Sequence, residues 1–161
     1  MINLESILAE WKEDSQISKN QLDEVSRVTP ALHSKYLEYL SLTKLRLKRA
    51  EFDQKNLLKE KWLYYEGKMP QEDIEKRGWK ADPYDGLVIT TKGQKENWYD
   101  TDKEIQDSEL KLQYLQTTIE TLTEKRVGLA EHGDLIVTIE EELDKIAHFE
   151  DRLSVLKKHF T

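Results

Sequence analysis

The 161-residue sequence contains no cysteine and few of the residues that interrupt helices. The lack of cysteine excludes disulfide bonds, thiolate metal sites and a catalytic thiol. With only six glycines and three prolines, long stretches have no helix breaker, which favours long helices over a many-stranded fold. Uninterrupted aliphatic runs reach only three residues, as in Leu135-Ile136-Val137, so the sequence predicts no membrane span.

The N-terminal segment lacks the features of a secretory signal. It has no basic lead, and Glu5 interrupts its apolar stretch. We therefore expect a soluble protein of the cytoplasm that has no membrane partner.

Charge is distributed unevenly along the chain. The formal net charge is −7, yet residues 35–61 contain eight basic and four acidic side chains, a local charge of +4. The remainder of the chain is correspondingly acidic. Such asymmetry indicates a partner rather than a particular fold.

Helix signals predict short N-terminal elements followed by one long helix. Residues 1–28 are expected to form two short helices, the second ending near Arg27. Thr29-Pro30 is typical of a helix start because proline is well tolerated at the first helical position. No glycine or proline follows for many residues, so we expect one helix over residues 30–66, about 55 Å long.

The rest of the chain divides into an insertion and a helical region. In residues 67–101, Gly67 should end the long helix, and a short helix should begin after Pro70 and end at Gly78. An irregular segment with a small hairpin should follow, because β-branched and aromatic residues alternate there with turn formers. Residues 102–161 return to a helical pattern, which Gly133-Asp134 should break into a pair of helices. We therefore predict a mostly α single domain, residues 1–161, with a long central helix.

Apolar spacing in the C-terminal region predicts self-assembly. From Ile136 to Phe160 the intervals between apolar residues are three or four, with one slip between Ile146 and Phe149, as in a helix that packs against other helices. A helix as long as the central one also needs more cover than a small domain supplies. We expect a homo-oligomer whose contacts include Leu115, Leu122, Ile139, Leu143, Ile146, Leu153 and Leu156.

One face of the predicted long helix is basic. At 100° per residue, Lys44, Lys48, Lys55 and Lys59, here called the lysine stripe, lie within about 60° of one another and of Trp62. Such a row can follow successive phosphates of a nucleic acid, with salt-dependent and sequence-independent binding, while aromatic rings stack on unpaired bases. The candidate DNA-binding residues are Lys44, Arg46, Lys48, Arg49, Lys55, Lys59, Lys61, Trp62, Tyr64 and Tyr65.

The same residues also allow a plainer interpretation. A lysine row is more often a solvated helix face, and Glu51 can pair with Lys55 one turn away. Lys61 falls within the apolar sector of the helix, so it must either reach solvent near the helix end or face a partner. The acidic remainder and the C-terminal apolar pattern fit a second hypothesis, a helical oligomeric adaptor or scaffold with protein partners only.

Several motifs together resemble one known family. The pattern Lys59-x-Lys61-x-x-Tyr64-Tyr65-x-Gly67-Lys68 resembles the basic, aromatic signature of the UvsY recombination-mediator family of myophage-type bacteriophages. The helix opening Leu32-His33-Ser34-Lys35-Tyr36-Leu37 and the N-terminal Leu4-x-x-Ile7-x-x-x-Trp11 are also similar to it. The resemblance runs from residue 1 to about residue 125, and the C-terminal region departs from the family pattern.

This resemblance implies a function in homologous recombination, repair and replication. Family members are helical proteins that assemble into rings, bind single-stranded DNA and help load a phage RecA-like recombinase onto DNA covered by the phage single-strand-binding protein. The resemblance implies that Lys59 and Lys61 contact DNA, that the C-terminal end drives oligomerisation and that the protein acts in the bacterial host cytoplasm. Because that end departs from the pattern, the mode of assembly stays open.

No motif of enzyme chemistry accompanies these features. The sequence has no phosphate-binding loop ending in Gly-Lys-Ser/Thr, no Gly-x-Ser-x-Gly and no His-Glu-x-x-His. Its four histidines are scattered, so they predict no metal site. We therefore expect a protein that is not an enzyme, with no catalytic residue, no metal and no cofactor.

Overall fold

The computed structural model describes the backbone of residues 3–16 and 22–159. Within these ranges, the undescribed side chains are those of residues 22–23, 25–26, 132, 135–137, 139–140, 142–143, 147 and 149–159. The described chain is helical and contains no strand, which confirms the mostly α prediction. The helices are α1 (Leu4–Asp14), α2 (Leu22–Tyr65), α3 (Gln71–Arg77), α4 (Lys92–Asp100) and α5 (Lys103–His159).

The first helix begins at a reciprocal cap. The Asn3 side chain accepts a hydrogen bond from the Ser6 backbone N–H at 2.7 Å, and the Asn3 N–H donates to the Ser6 hydroxyl at 3.2 Å. This arrangement satisfies two donors that a helix start otherwise leaves without partners. Ile7 of α1 is fully buried.

The long helix α2 begins earlier than predicted. The prediction of a short helix ending near Arg27 is wrong, because α2 runs without interruption from Leu22 through Pro30 to Tyr65. An interior proline removes one backbone hydrogen bond and costs about 3 kcal/mol, which the rest of a 44-residue helix outweighs. Ser18 and Gln21, which the sequence predicts as the capping residues of that short helix, lie outside the described part of the chain.

Two glycines end helices where the sequence predicts. Gly67 and Gly78 both adopt φ +69°, a left-handed conformation that glycine enters without steric cost. After α2, the Gly67 N–H donates to the Tyr64 carbonyl at 3.1 Å and the Lys68 N–H to the Leu63 carbonyl at 2.9 Å. This paired arrangement satisfies the last carbonyls of the helix and stops it.

The hairpin expected before residue 101 does not form in the described structure. The chain instead makes turns, with Asp82 accepting hydrogen bonds from the backbone N–H groups of Tyr84 and Gly86, and then enters α4. Thr91 and Gln94 make a capping box at the start of α4. The sequence contains this helix signal, but the hairpin prediction gave more weight to the neighbouring β-branched and aromatic residues.

The final helix is continuous across Gly133. The predicted break into two helices is wrong, because α5 extends from Lys103 to His159. Gly133 is not among the residues with positive φ, unlike Gly67 and Gly78. A glycine in helical conformation costs about 1 kcal/mol relative to alanine, which a helix of 57 residues tolerates.

The chain separates into two compact units. The terminal unit comprises Met1–Ser41 and Thr118–Thr161, and the central unit comprises Leu42–Thr117. In the terminal unit, the Trp11 ring meets the fully buried Tyr36 ring edge-on, with centroids 5.3 Å apart. The Lys125 ammonium lies 5.2 Å from the Trp11 centroid, so α1, α2 and α5 all meet at this indole.

The central unit has an aromatic core around the end of α2. Tyr64, Tyr65 and Ile74 are buried there. Five partly buried apolar side chains pack against them, namely Met69, Trp79, Tyr84, Trp98 and Tyr99. Neighbouring rings meet at tilted or edge-on angles with centroids 5.1–6.2 Å apart, a favourable range for aromatic pairs. This core orders the segment that follows α2.

The side chains predicted for assembly are only partly described. Leu122 is fully buried, Leu115 is half-buried and Ile146 is 56% exposed. The side chains of Ile139, Leu143, Leu153 and Leu156 lie outside the described part. The helices of the described chain are also too polar or too short to cross a membrane.

Candidate nucleic-acid interface

The lysine stripe lies exposed on α2 within the central unit. The four residues of the stripe, Lys44, Lys48, Lys55 and Lys59, are all exposed. Lys48 pairs with Glu51 at 2.9 Å, and its ammonium lies 5.3 Å from the Phe52 ring centroid. Among the described residues, no carboxylate lies within salt-bridge distance of the other three lysines. Most of the stripe is therefore open to an anionic partner.

Two arginines and a tryptophan complete the exposed part of the predicted site. Arg46 and Arg49 are exposed on α2 but outside the narrow stripe. Trp62 is 49% exposed, and the Lys68 ammonium lies 4.8 Å from its ring centroid. An exposed indole at the end of a cationic row can stack on an unpaired base.

Lys61 has a different environment from the stripe. Its side chain is 5% exposed, and its ammonium lies 2.9 Å from Asp102 Oδ2 and 3.5 Å from Glu104 Oε2. The ammonium also lies over the Trp79 ring, 3.9 Å from the centroid, a distance typical of a strong cation–π contact. Its place in the apolar sector of the helix is therefore explained by internal partners.

The two tyrosines after Lys61 are also core residues. Tyr64 donates its hydroxyl to the Lys80 carbonyl at 2.8 Å, and Tyr65 donates to Asp102 Oδ2 at 2.7 Å. Burial is the main reason that the pKa values of both hydroxyls are raised, and the Asp102 carboxylate raises them further. Both rings are buried, so neither offers a free face in this conformation.

Asp102 joins the end of α2 to the start of α5. Its Oδ1 accepts hydrogen bonds from the N–H groups of Glu104 at 3.0 Å and Ile105 at 3.2 Å, which caps α5. Its Oδ2 accepts from Lys61 and Tyr65. Burial acts to raise the pKa of Asp102, but these hydrogen bonds outweigh it and hold that pKa below its ordinary value.

Sequence reasoning did not identify Asp102 as a partner of Lys61. The available signals were a lysine in an apolar sector and an aspartate directly before a predicted helix. Neither signal indicates the other residue, because the two are joined only by the tertiary fold.

Two clefts border the exposed residues. A cleft of about 640 Å³ lies beside Lys59, where Arg77 of α3 and Lys111 of α5 also line it. Arg77 forms an ion pair with Glu60 in this cleft. A second cleft of about 510 Å³ lies beside Trp62 and is lined by lysines and carboxylates of α4. Basic side chains from three helices thus surround the end of the stripe.

The described residues contain no group of histidine and acidic side chains that could hold a metal ion. The end of α2 combines cations, carboxylates and aromatic rings.

Comparisons with known proteins agree with this architecture. Residues 10–141 match the family model described as "Recombination, repair and ssDNA binding protein UvsY". This match begins and ends later than the motifs of the sequence alone indicate, and it includes part of the C-terminal region. No curated protein matches the sequence.

Solved structures of the bacteriophage T4 recombination mediator protein UvsY share the fold. The lattice type II crystal structure matches with a TM-score of 0.68 at 21% identity, covering 91% of this chain and 99% of that chain. The lattice type I structure matches with a TM-score of 0.67 at 21% identity, covering 86% and 97%. The lattice type IV structure matches with a TM-score of 0.66 at 20% identity, covering 89% and 98%.

Proposed function

The chain belongs to the UvsY family, and from this membership we propose that it is a recombination mediator that binds single-stranded DNA through the lysine stripe. In this role it helps load a RecA-like recombinase onto DNA covered by a single-strand-binding protein. Its partners are thus single-stranded DNA, these two proteins and further copies of itself, and it has no catalytic centre of its own.

The exposed lysine stripe is the observation that supports DNA binding most directly. From Lys44 to Trp62 it extends about 27 Å along the helix axis, long enough to follow several phosphates. Ammonium groups that neutralise phosphates release counterions, so binding should weaken steeply as salt increases. Trp62 adds a preference for single strands, because only an unpaired base can stack on its exposed face.

Fluorescence anisotropy with a labelled oligonucleotide tests this proposal. We expect the single strand to bind more tightly than the duplex, with a logarithmic salt slope that reflects the number of neutralised phosphates. Lys55→Ala with Lys59→Ala should weaken binding and reduce the slope by about 0.7 for each phosphate that the variant no longer neutralises.

A charge-matched variant controls for net charge. Lys76→Ala with Lys80→Ala removes two lysines of the same unit whose side chains are both 73% exposed and lie off the stripe. We expect this variant to retain nearly all affinity. Equal losses in the two double variants would contradict the assignment of DNA binding to the stripe.

Exposed apolar side chains on α5 favour contacts with protein. Leu110 is 67% exposed, Val127 53% and Ile146 56%. This observation supports self-assembly and keeps the adaptor function as the second candidate. The two functions differ in the oligonucleotide experiment, because an adaptor with protein partners only would not bind DNA at any salt concentration.

Self-assembly would strengthen DNA binding. A few lysines per chain bind weakly at physiological salt, whereas linked copies act at a high effective concentration. Val127→Asp with Ile146→Asp places charges at exposed positions, so it should weaken contacts between copies without unfolding the chain. By light scattering, we expect a mass well above 19.1 kDa for the natural protein and a lower mass for the variant. A monomeric natural protein would refute this assembly.

A further inference from the structure

The environment of Lys61 conflicts with a direct phosphate contact. Its side chain is 5% exposed, compared with 60% for Lys48 of the stripe. Asp102 lies on one side of the ammonium, and the Trp79 ring on another, with its centroid 3.9 Å away. Reaching a DNA phosphate would require the ammonium to leave both partners.

Such a movement of the Lys61 ammonium would be unfavourable mainly because of its effect on Asp102. The carboxylate is 8% exposed, so without Lys61 it would be a buried charge without a cation. Removing one partner of a buried ion pair is strongly unfavourable because the remaining charge is uncompensated. The Trp79 indole N–H is also engaged, donating to Glu104 Oε1 at 2.8 Å. The whole cluster therefore favours the internal position of Lys61.

Asp102 makes this cluster a connection between helices. One oxygen caps the start of α5, and the other holds Lys61 and Tyr65 on the last two turns of α2. Lys59 and Trp62, the exposed residues at the end of the stripe, lie on the same two turns.

We propose that Lys61 is a positioning residue, which with Asp102 holds the end of α2 so that Lys59 and Trp62 can engage single-stranded DNA. This inference rests on the proposed function. It differs from the role that the resemblance implies for Lys61, because removal of the lysine would weaken DNA binding without removing a phosphate contact.

Asp102→Asn distinguishes the two roles. Asparagine can still cap the helix through its one oxygen, but its NH2 group replaces the oxygen that accepts from Lys61 and Tyr65. The variant therefore removes both the negative charge and the acceptor that hold Lys61. If Lys61 contacts phosphate, the variant frees a lysine and adds positive charge, and DNA should bind more tightly. If Lys61 is a positioning residue, binding should weaken by about three- to tenfold despite the added charge.

Asp107→Asn is the matched control. It makes the same change of charge and shape at an exposed position on α5, outside the cluster. We expect unchanged or slightly tighter binding for this variant. The salt slope of Asp102→Asn should equal that of the natural protein, because the number of phosphates contacted stays the same.

A double variant adds a second, independent readout. Lys61→Met and Asp102→Asn should have coupled effects on DNA affinity, with the double variant binding better than the product of the two single effects predicts. Additive effects, a reduced slope in Lys61→Met, or tighter binding by Asp102→Asn would each overturn the positioning role. Lys55→Ala with Lys59→Ala tests the stripe separately, so failure of the stripe is distinguishable from failure of this inference.

Discussion

The terminal and central units contain the same cluster of side chains in different surroundings. In each, a lysine ammonium and a tyrosine hydroxyl share one aspartate oxygen, and a glutamate lies near the lysine. The Lys35 cluster contains Lys35, Asp14, Tyr36 and Glu10, and the Lys61 cluster contains Lys61, Asp102, Tyr65 and Glu104.

The two clusters differ chiefly in their access to solvent. The side chains of Lys35 and Asp14 are 31% and 24% exposed, whereas those of Lys61 and Asp102 are 5% and 8% exposed. The ion-pair distances are nearly equal, 2.8 Å and 2.9 Å. The distances alone would therefore suggest that the two ion pairs are equally strong. Burial distinguishes them, because water can screen and replace the contacts of the Lys35 cluster but not those of the Lys61 cluster.

Lys61→Met should have the largest effect on stability. It leaves Asp102 buried without a cation, so we expect the free energy of unfolding to fall by about 3–5 kcal/mol. Urea denaturation followed by far-UV circular dichroism measures this change. Adding Asp102→Asn should recover part of the stability, because no buried charge then stays unpaired. A decrease as small as that of an exposed lysine such as Lys55 would contradict the distinction between the clusters.

Lys35→Met should have a smaller effect. Asp14 can be hydrated when its partner is removed, and a partly exposed ion pair contributes about 1 kcal/mol or less. The same denaturation experiment should show a modest shift of the midpoint that shrinks further in high salt, since solvent ions screen exposed charges. A decrease equal to that of Lys61→Met would show that solvent access does not separate the two clusters.

The smallest expected effect is the pH dependence of the Lys61 cluster. The folded pKa of Asp102 lies below its ordinary value of about 3.9. Its ionised form therefore contributes stability above about pH 4, and this contribution is lost as the pH falls through the folded pKa. Stability measured from neutral to acidic pH should decline less for Asp102→Asn than for the natural protein. Parallel curves for the two proteins would show that Asp102 is not the titrating group.

Sequence patterns predict the parts of this fold that depend on local chemistry. Gly67 and Gly78 end helices because their left-handed backbone conformation suits glycine, and the prediction at both positions is confirmed. Pro30 and Gly133 lie inside helices instead, because a long helix tolerates the cost of one unfavourable residue. Whether a proline or glycine ends a helix thus depends on the packing of the whole helix, which cannot be predicted from local residue spacing.

The candidate site shows the same limit. The spacing of the four lysines places them on one face of the helix, and all four are exposed in the structure. The unusual sector of Lys61 also indicates that its surroundings differ from those of the stripe. Its partners Trp79 and Asp102 could not be predicted, because they belong to segments that only the folded chain brings together.

The ion pair between Lys61 and Asp102 makes the turn before α4 a suitable place to insert a tag or a label. These residues hold both ends of the segment that contains α3 and α4, while Leu87 and Val88 within it are 61% and 85% exposed. Exposed turn tips are the sites that proteases nick and where inserted sequence is tolerated. A peptide tag or a spectroscopic label inserted there would lie between two anchored ends, so the turn offers an attachment point that leaves the lysine stripe and its supports in place.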